Sequence, residues 1–501
     1  MMKNKSNLAR YRVPALVEHQ TNPLICALPN YIEAGRLSAL INNMPKLPSL
    51  ENLSKNDRIA LAKQTRKIRV PTKIFVDFYN AIYNLIVVGY EQRNPCEPYV
   101  TEFHYDVAEA DCDISELKRS GKLPSFNEDT TCEHLILTGM SGVGKTALKD
   151  WVLKMLLPKT LVHTRDDFDE IQIVQIHAEM PHDGRRGTLL KNLFAAIDKA
   201  LEGIEQTNYL EKVQPKLDRS ADIGSMEKFF KSLCIKYHIG IIVIDEFQNI
   251  EVAPKDDKAK MRQLFDSMSN ELNVPFLKIG TPDCLTLLMT KFRHGRRAGE
   301  PIEVLPYMRV PNLAAQPTTS KLAKLGRDWT NLVNSLFHFQ VINEPIEYSE
   351  RWDEELYKLS CGIPYVLFTL WQEAQIDAIR TGKETLTLTQ LNDVFRRRFK
   401  LIKTALSALR TKRIGQFQDL LTIAQLFDKN EVEAAIKRLN HFVDNENFTG
   451  SAATDILMSV DEIEQSCSLT EPQKQKLEKL RQKLKQRSMT VKAGQVYENE
   501  V

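Results

Sequence analysis

The sequence predicts an α/β core in which a parallel β-sheet is covered by helices. Short, continuous apolar runs alternate with helical stretches such as residues 188–201 and 225–237. Strands that are buried on both faces read as continuous apolar runs, so the alternation favours a parallel sheet. A glycine-rich turn after the first run and an acidic pair after a later one support this class. The runs are 134–138 (HLILT), 171–178 (IQIVQIHA), 240–246 (GIIVIDE), 275–281 (PFLKIGT) and 301–307 (PIEVLPY).

Composition is that of an ordinary globular protein. The 501 residues are 43% hydrophobic and 27% charged, with a formal net charge of +3, so any basic surface must be local. No run of about eighteen uncharged apolar residues predicts a membrane span, and the N-terminus lacks the apolar segment of a signal peptide. The eight cysteines form no C-x-x-C pair. We therefore expect a cytoplasmic protein without zinc sites or disulfides.

Four segments are predicted along the chain. Residues 1–60 form an N-terminal arm, 61–310 the α/β core, 311–410 a helical subdomain and 411–501 a C-terminal helical extension. In the arm, Leu24, Ile25 and Leu28 share one face of a short helix, which either docks on a partner or packs against the core. In the extension, residues 474–487 carry seven basic side chains and one acidic one. They form either a docking helix for a partner or DNA, or a solvated tail.

Residues 139–146 (GMSGVGKT) match the loop that cradles phosphates, with two spaced glycines followed by lysine and a hydroxyl residue. Glycine permits positive φ and close backbone approach, lysine adds a charge for the β- and γ-phosphates, and the hydroxyl can ligate Mg²⁺. A strand before it and a helix after it make a chance match the weaker interpretation. The predicted ATP-binding residues are Gly139, Met140, Ser141, Gly142, Val143, Gly144, Lys145, Thr146 and Ala147.

Two further strand ends complete the predicted site. The run 240–246 ends in Asp245, expected to hold Mg²⁺ together with Thr146, and Glu246, expected to activate the attacking water. The run 275–281 ends in Thr281, whose hydroxyl would position that water, or simply cap the strand. ATP and Mg²⁺ are thus the predicted cofactors, and ATP hydrolysis the predicted reaction.

Two basic clusters are candidates for phosphate contacts. Arg293, Arg296 and Arg297 follow the Thr281 run and could stabilise charge at a neighbouring subunit's nucleotide, bind nucleic acid, or form a solvated turn. Residues 181–191 (PHDGRRGTLLK) leave the second run and begin a helix. They could bind DNA phosphates without sequence specificity, or form a solvated loop in which Thr188 is a helix cap. The predicted DNA contacts are Arg185, Arg186, Thr188 and Lys191.

The order of phosphate loop, acidic strand end, threonine strand end and arginine cluster resembles that of the AAA+ ATPase superfamily. Five stretches are similar to TnsC, the family of ATP-dependent target-selection regulators of Tn7-type transposons. The similarity extends from the arm to about residue 400. The stretches are 21–29 (TNPLICALP), 89–95 (GYEQRNP), 241–246 (IIVIDE), 277–282 (LKIGTP) and 292–299 (FRHGRRAG).

The resemblance implies a bacterial, DNA-associated protein that oligomerises on duplex DNA when ATP is bound, as a hexameric to heptameric ring or a filament. It would connect a target selector of the TnsD or TniQ type to transposase subunits of the TnsA and TnsB type. ATP hydrolysis, stimulated by DNA or a partner, would disassemble it. Gly144, Lys145, Thr146, Asp245, Glu246 and Thr281 would take the family's nucleotide roles, and the cluster from Arg293 to Arg297 its intersubunit role.

One departure concerns the helical subdomain, where many AAA+ proteins place an arginine that reaches the γ-phosphate. The matching turn, residues 361–365 (CGIPY), has none. Two other functions share the same core. A helicase loader in replication would need neither the arm nor the extension, and a nucleotide-switch signalling ATPase would not assemble on DNA.

Overall fold

The computed structural model describes residues 7–98, 100–102, 105, 134–218, 223–282, 301–311, 313 and 321–411, together with 475, 478, 479, 481 and 482. The chain divides into two compact units, Met1–Leu406 and Ser407–Val501. The predicted arm, core and nearly all of the helical subdomain therefore fall in the first unit. The subdomain boundaries and the C-terminal extension stay predictions.

A five-stranded parallel sheet forms the centre of the first unit. Its order is β4-β5-β6-β1-β7, with every neighbouring pair parallel. β1, β5 and β6 are fully buried apart from the last residue of β5, which explains their unbroken apolar sequence. The prediction of a parallel sheet is confirmed. The strands are β1 (Leu135–Gly139), β4 (Gln175–Glu179), β5 (Ile241–Asp245), β6 (Phe276–Gly280) and β7 (Ile302–Val304).

The run 171–178 was predicted as one strand, and this was wrong. It forms β3 (Ile171–Ile173), which pairs antiparallel with β2 (Thr160–Val162), and then β4. Between them, the Val174 amide donates to the Lys159 carbonyl at 2.9 Å. The chain changes partners at this point, a tertiary event that apolar periodicity does not encode.

Helices pack on the sheet, and further helices form the part of the chain that follows the sheet. The glycine-rich turn leads into α5, which continues as a π-helical turn over Asp150–Leu156. The helices are α1 (Pro23–Cys26), α2 (Ala34–Ile41), α3 (Lys55–Ala62), α4 (Lys73–Glu91), α5 (Lys145–Lys149), α6 (Arg186–Leu201), α7 (Tyr209–Asp218), α8 (Ile223–Lys236), α9 (Lys255–Leu272), α10 (Lys321–Phe337), α11 (Glu350–Ser360), α12 (Pro364–Thr381), α13 (Leu388–Arg398) and α14 (Lys403–Thr411). Short 3₁₀ turns cover Val17–His19, Lys63–Lys67 and Phe247–Val252.

The N-terminal arm packs on the core. Leu24, Ile25 and Leu28 are all buried, at 0%, 1% and 2% exposure. The Asn22 side chain donates to the Tyr90 carbonyl at 2.8 Å, which ties the start of α1 to the end of α4. Of the two interpretations of this apolar face, the structure supports packing, because the three side chains contact the interior.

A buried ion pair joins the arm to the helical subdomain. The Arg58 guanidinium in α3 donates to both carboxylate oxygens of Glu384, at 2.5 and 2.7 Å, and to the Asn343 side chain at 2.9 Å. The Arg58 side chain is only 6% exposed, so the fork geometry of the pair compensates its loss of hydration. The arm thus contacts both the core and the subdomain.

The helices of the described residues are too short or too polar to cross a bilayer. Among the described cysteines, Cys26, Cys96, Cys234 and Cys361 are not joined in disulfides.

Truncation of Leu24 tests the packing of the arm. We expect Leu24→Ala to lower the free energy of unfolding by about 2–4 kcal/mol, because it opens a cavity in a fully buried site. The matched control is Val17→Ala, also in the arm, where the side chain is 76% exposed and little change is expected. Urea denaturation followed by fluorescence gives both values. Equal, small effects would show that the arm does not pack on the core.

Candidate nucleotide-binding site

The glycine-rich loop leaves β1 and turns into α5 through residues with positive φ. Gly142 has φ +85° and Gly144 has φ +109°, conformations that side chains with a Cβ rarely adopt. Gly139 is required for a different reason, since a Cβ there would lie 2.4 Å from the Val304 carbonyl oxygen of β7. The loop is therefore held against the sheet, and the N-terminus of α5 faces the cavity described next.

A cavity of about 450 Å³ lies beside this loop, within the size range of small-ligand pockets. One side is polar and includes residues 141–148, Asp245 and Glu246. The other sides are contributed by the chain before α4, by the start of α4 and by the helical subdomain, and are largely apolar. Such a division suits a ligand with phosphates at one end and a ring at the other. The lining outside the loop is Arg66, Ile68, Arg69, Val70, Ile74, Phe75, Ile279, Val304, Tyr307, Leu332, Pro364, Tyr365, Phe368 and Thr369.

Lys145 lies folded over the loop that precedes it. Its ammonium donates to the carbonyl oxygens of Gly139 and Met140, the latter at 3.0 Å. Both contacts are to neutral acceptors, so a phosphate in the cavity would be the stronger partner for the same group.

The two carboxylates at the end of β5 have different surroundings. Asp245 is half-buried: one oxygen accepts the Glu246 amide at 2.9 Å, and the other is ion-paired with the Lys149 ammonium. Glu246 is exposed and adopts φ +54°, the left-handed region that non-glycine residues rarely occupy. Strain of this kind is concentrated at functional sites.

Gln248 connects the ends of β5 and β6. Its side-chain nitrogen donates to the Glu246 carboxylate, and its side-chain oxygen accepts the Thr281 amide at 3.1 Å. The contact is possible because β6 lies beside β5 in the sheet. The structure thus brings Glu246 and Thr281 together, as predicted from their positions at strand ends, while the role of the Thr281 hydroxyl stays a prediction.

The donor set fits Mg²⁺ bound together with phosphates. Thr146 and Asp245 line the same cavity and offer oxygen ligands, which Mg²⁺ prefers. In the described part of the chain no cluster of three or more His, Cys, Asp or Glu side chains is placed to hold a metal. A few protein oxygens completed by phosphate and water are the usual Mg²⁺ arrangement, so these two residues suffice.

The helical subdomain contacts the loop through its backbone. At the end of the turn formed by residues 361–365, where α12 begins, the Tyr365 amide donates to the Gly142 carbonyl at 3.1 Å. The same turn is packed against the chain after β7, because the Tyr307 amide donates to the Gly362 carbonyl at 2.9 Å and Gly362 has φ +74°. The turn without arginine therefore approaches the phosphate loop with an amide–carbonyl contact.

One of the predicted DNA contacts, Arg186, has a partner within the protein. Arg186 is ion-paired with Glu227 at 2.7 Å, and both side chains are only 17% exposed. Burial raises the pKa of Glu227, and Arg186 beside it opposes that rise. Arg186 is thus a structural partner of α8. Thr188 does not cap α6, whose cap residue is Arg185; instead its hydroxyl donates to Asp183 at 3.0 Å.

Of the other predicted DNA contacts, Arg185 has an exposed side chain and Lys191 a half-buried one, both within or next to α6. Arg293, Arg296 and Arg297 lie outside the described residues.

Sequence reasoning missed several residues that the structure places at the site. Lys149 lies one helical turn after Lys145, but its pairing with Asp245 depends on the sheet order. The segment from Arg66 to Phe75 precedes the loop by more than sixty residues, and no motif marks it. Tyr365 was noted only as part of the turn without arginine.

Comparison with known proteins agrees with this geometry. Residues 128–288 match the family model described as AAA domain. That match and the strand order β4-β5-β6-β1-β7 establish the AAA+ P-loop NTPase fold, as predicted. A search of curated protein sequences finds no match to the chain.

Solved structures show distant similarity. The Walker-type ATPase paby2304 of Pyrococcus abyssi is 15% identical, with 70% of this chain and 84% of that chain covered and a TM-score of 0.34. The ORC2 protein of Aeropyrum pernix is 14% identical, with 58% of this chain and 67% of that chain covered and a TM-score of 0.35. Drosophila ORC bound to DNA is 13% identical, with 85% and 89% covered and a TM-score of 0.35. The fold assignment does not depend on these low scores.

The Lys149–Asp245 pair makes a prediction about Mg²⁺. Lys149→Met removes the cation that neutralises Asp245, so we expect the Mg²⁺ concentration for half-maximal binding of a fluorescent ATP analogue to fall about fivefold, or ~1 kcal/mol. Lys154→Met is the matched control, because Lys154 pairs with the neighbouring Asp150 and its side chain is 61% exposed. An unchanged Mg²⁺ requirement in Lys149→Met would show that the pair does not compete with the metal.

Proposed function

We propose that this chain is an ATP-hydrolysing AAA+ protein that assembles on duplex DNA and regulates DNA transposition. The observation that supports the ATPase step is the convergence of Lys145, Thr146, Asp245 and Glu246 on one cavity. The role in transposition is supported by the similarity to TnsC described above. Bound ATP would hold subunits together, and its hydrolysis would end the assembly.

Each residue of the cavity has a distinct task in this proposal. The loop from Gly139 to Ala147 and the N-terminus of α5 bind the phosphates, and Lys145 exchanges its carbonyl partners for phosphate oxygens. Thr146 and Asp245 hold Mg²⁺, which offsets the phosphate charge. Glu246, exposed and oriented by Gln248, accepts the proton of the attacking water. The apolar wall near Ile68 and Phe75 would bind the base.

Subunit contacts would link neighbouring nucleotide sites. In the proposal at least one of Arg293, Arg296 and Arg297 reaches a neighbour's γ-phosphate and stabilises charge in the transition state. The resulting ring or filament surrounds DNA. It recruits a target selector of the TnsD or TniQ type and transposase subunits of the TnsA and TnsB type, with the C-terminal extension as the proposed transposase contact.

DNA would bind through phosphates and without sequence preference. Arg185 supports this proposal, because its side chain is exposed at the start of α6. Lys191 follows on the same helix. Helix N-termini and arginines together suit phosphate oxygens.

Replacement of the candidate base tests the timing mechanism. We expect Glu246→Gln to bind ATP as the parent does but to lower the turnover at least ~100-fold, because proton transfer to water is lost. The variant should accumulate on duplex DNA in the presence of ATP, measured by sedimentation. Glu251→Gln, on the 3₁₀ turn that follows Glu246, is the control with normal turnover. Normal hydrolysis by Glu246→Gln would remove Glu246 from its proposed role.

Replacement of Arg185 tests the DNA contact. If Arg185 binds one phosphate, Arg185→Ala should weaken duplex binding equally for unrelated sequences. The slope of log affinity against log salt concentration should become shallower by ~0.9. Lys46→Ala, at another exposed position, should change neither value. A parental salt slope in Arg185→Ala would place the DNA contact elsewhere.

A further inference from the structure

A second cavity of about 530 Å³ lies next to the nucleotide site, along the edge strand β4. Asp245 lines both cavities. The walls of the second cavity come from the π-helical turn, from β4 and from α6. We call it the lysine cleft, after its basic residues Lys149, Lys154, Lys159, His177 and Lys199.

Two lysines at the mouth of the lysine cleft have no carboxylate partner within the described residues. Lys149 is paired with Asp245, and Lys154 with Asp150. Lys159 instead donates to the backbone carbonyl of Lys199 at 2.7 Å, which brings the two cations together.

The proximity of Lys199 affects the pKa of Lys159. Burial and then the neighbouring Lys199 lower the pKa of Lys159, while Glu202 acts in the opposite direction. Glu179 is the other carboxylate that lines the cleft besides Asp245, and it is exposed. Four lysines therefore line the cleft against two carboxylates, an excess of positive charge that favours a bound anion.

His177 presents an acceptor to the same cleft. The Gln175 side-chain nitrogen donates to the carbonyl oxygens of Leu153 and Pro158, at 2.6 and 3.0 Å, which fixes the orientation of its amide. The Gln175 side-chain oxygen must then accept from His177 Nε2, at 2.7 Å.

Burial, followed by the charges of Lys149, Lys154 and Lys159, lowers the pKa of His177 to about 4. The ring is thus neutral near pH 7. With the proton on Nε2, Nδ1 carries a lone pair and can accept a hydrogen bond. No donor to Nδ1 is found in the described part of the chain.

The inner walls of the lysine cleft are apolar and small. They provide an apolar contact that suits the ring of a ligand better than its charged groups. The residues concerned are Leu153, Leu157, Ala178, Ala196 and Val243.

We propose that the lysine cleft binds a mononucleotide-sized ligand, with its phosphate on Lys159 and Lys199, its ring on the apolar wall and a hydrogen-bond donor on His177 Nδ1. The site is separate from the nucleotide cavity of the proposed function. A small ligand is favoured over duplex DNA because the apolar lining of the cleft is buried and His177 is half-buried, whereas duplex phosphates bind at exposed surfaces.

The test is equilibrium dialysis of the full chain with each of the four labelled ribonucleoside monophosphates, in excess Mg²⁺ and a non-hydrolysable ATP analogue. The analogue saturates the first cavity, and its own binding is measured separately, so a failure of that site is recognised independently. We expect at least one monophosphate to bind with one equivalent per chain. The double variant Lys159→Ala/Lys199→Ala should weaken that binding about tenfold or more.

Two variants refine the result. His177→Phe keeps the ring volume but removes the acceptor, and should also weaken binding while inorganic phosphate binds as before. The double variant Lys46→Ala/Lys400→Ala removes two exposed lysines outside the lysine cleft and should leave monophosphate binding unchanged.

Three outcomes would overturn the proposal: no monophosphate binds, binding is the same in the cleft variant, or inorganic phosphate binds as tightly as every nucleotide. Weaker duplex binding by Lys159→Ala/Lys199→Ala, without any mononucleotide binding, would identify the lysine cleft as a DNA surface instead.

Discussion

The position of β6 between β5 and β1 is the constraint on which the site depends. Parallel pairing aligns the carboxyl ends of these three strands, so the phosphate loop, Asp245 and Thr281 reach the same edge although they are far apart in sequence. Gln248 can then join Glu246 to Thr281. A different strand order would leave every motif intact and still separate the candidate base from the phosphates.

The cavity is completed by parts of the chain that carry no recognised motif. The helical subdomain contacts the phosphate loop through the amide of Tyr365. The segment near Arg66 supplies part of the cavity wall. The arm is in turn tied to the subdomain by Arg58 and Glu384. Nucleotide binding would therefore affect the contacts of the arm and the subdomain as well as those of the core. Such coupling suits a protein that is proposed to act by assembly.

Local sequence was sufficient for features that depend on local chemistry. The glycine-rich loop and the acidic end of β5 were predicted correctly, since glycine and carboxylate patterns encode them directly. The division of residues 171–178 into two strands was missed, because it depends on tertiary contacts. These are the pairing of β3 with β2 and the hydrogen bond from the Val174 amide to the Lys159 carbonyl. The ion pair of Arg186 with Glu227 was not predicted, since Glu227 lies on another helix. The Lys149–Asp245 pair could not be predicted from the sequence either, because its two residues lie on different elements.

In the proposed function, ATP bound in this cavity drives assembly on DNA. Electron microscopy of the purified chain with duplex DNA, in parallel samples containing a non-hydrolysable ATP analogue or ADP, tests it most directly. We expect rings or filaments around DNA with the analogue and dispersed protein with ADP. Protein that stays dispersed on DNA with the analogue bound, or that assembles equally with ADP, would contradict it.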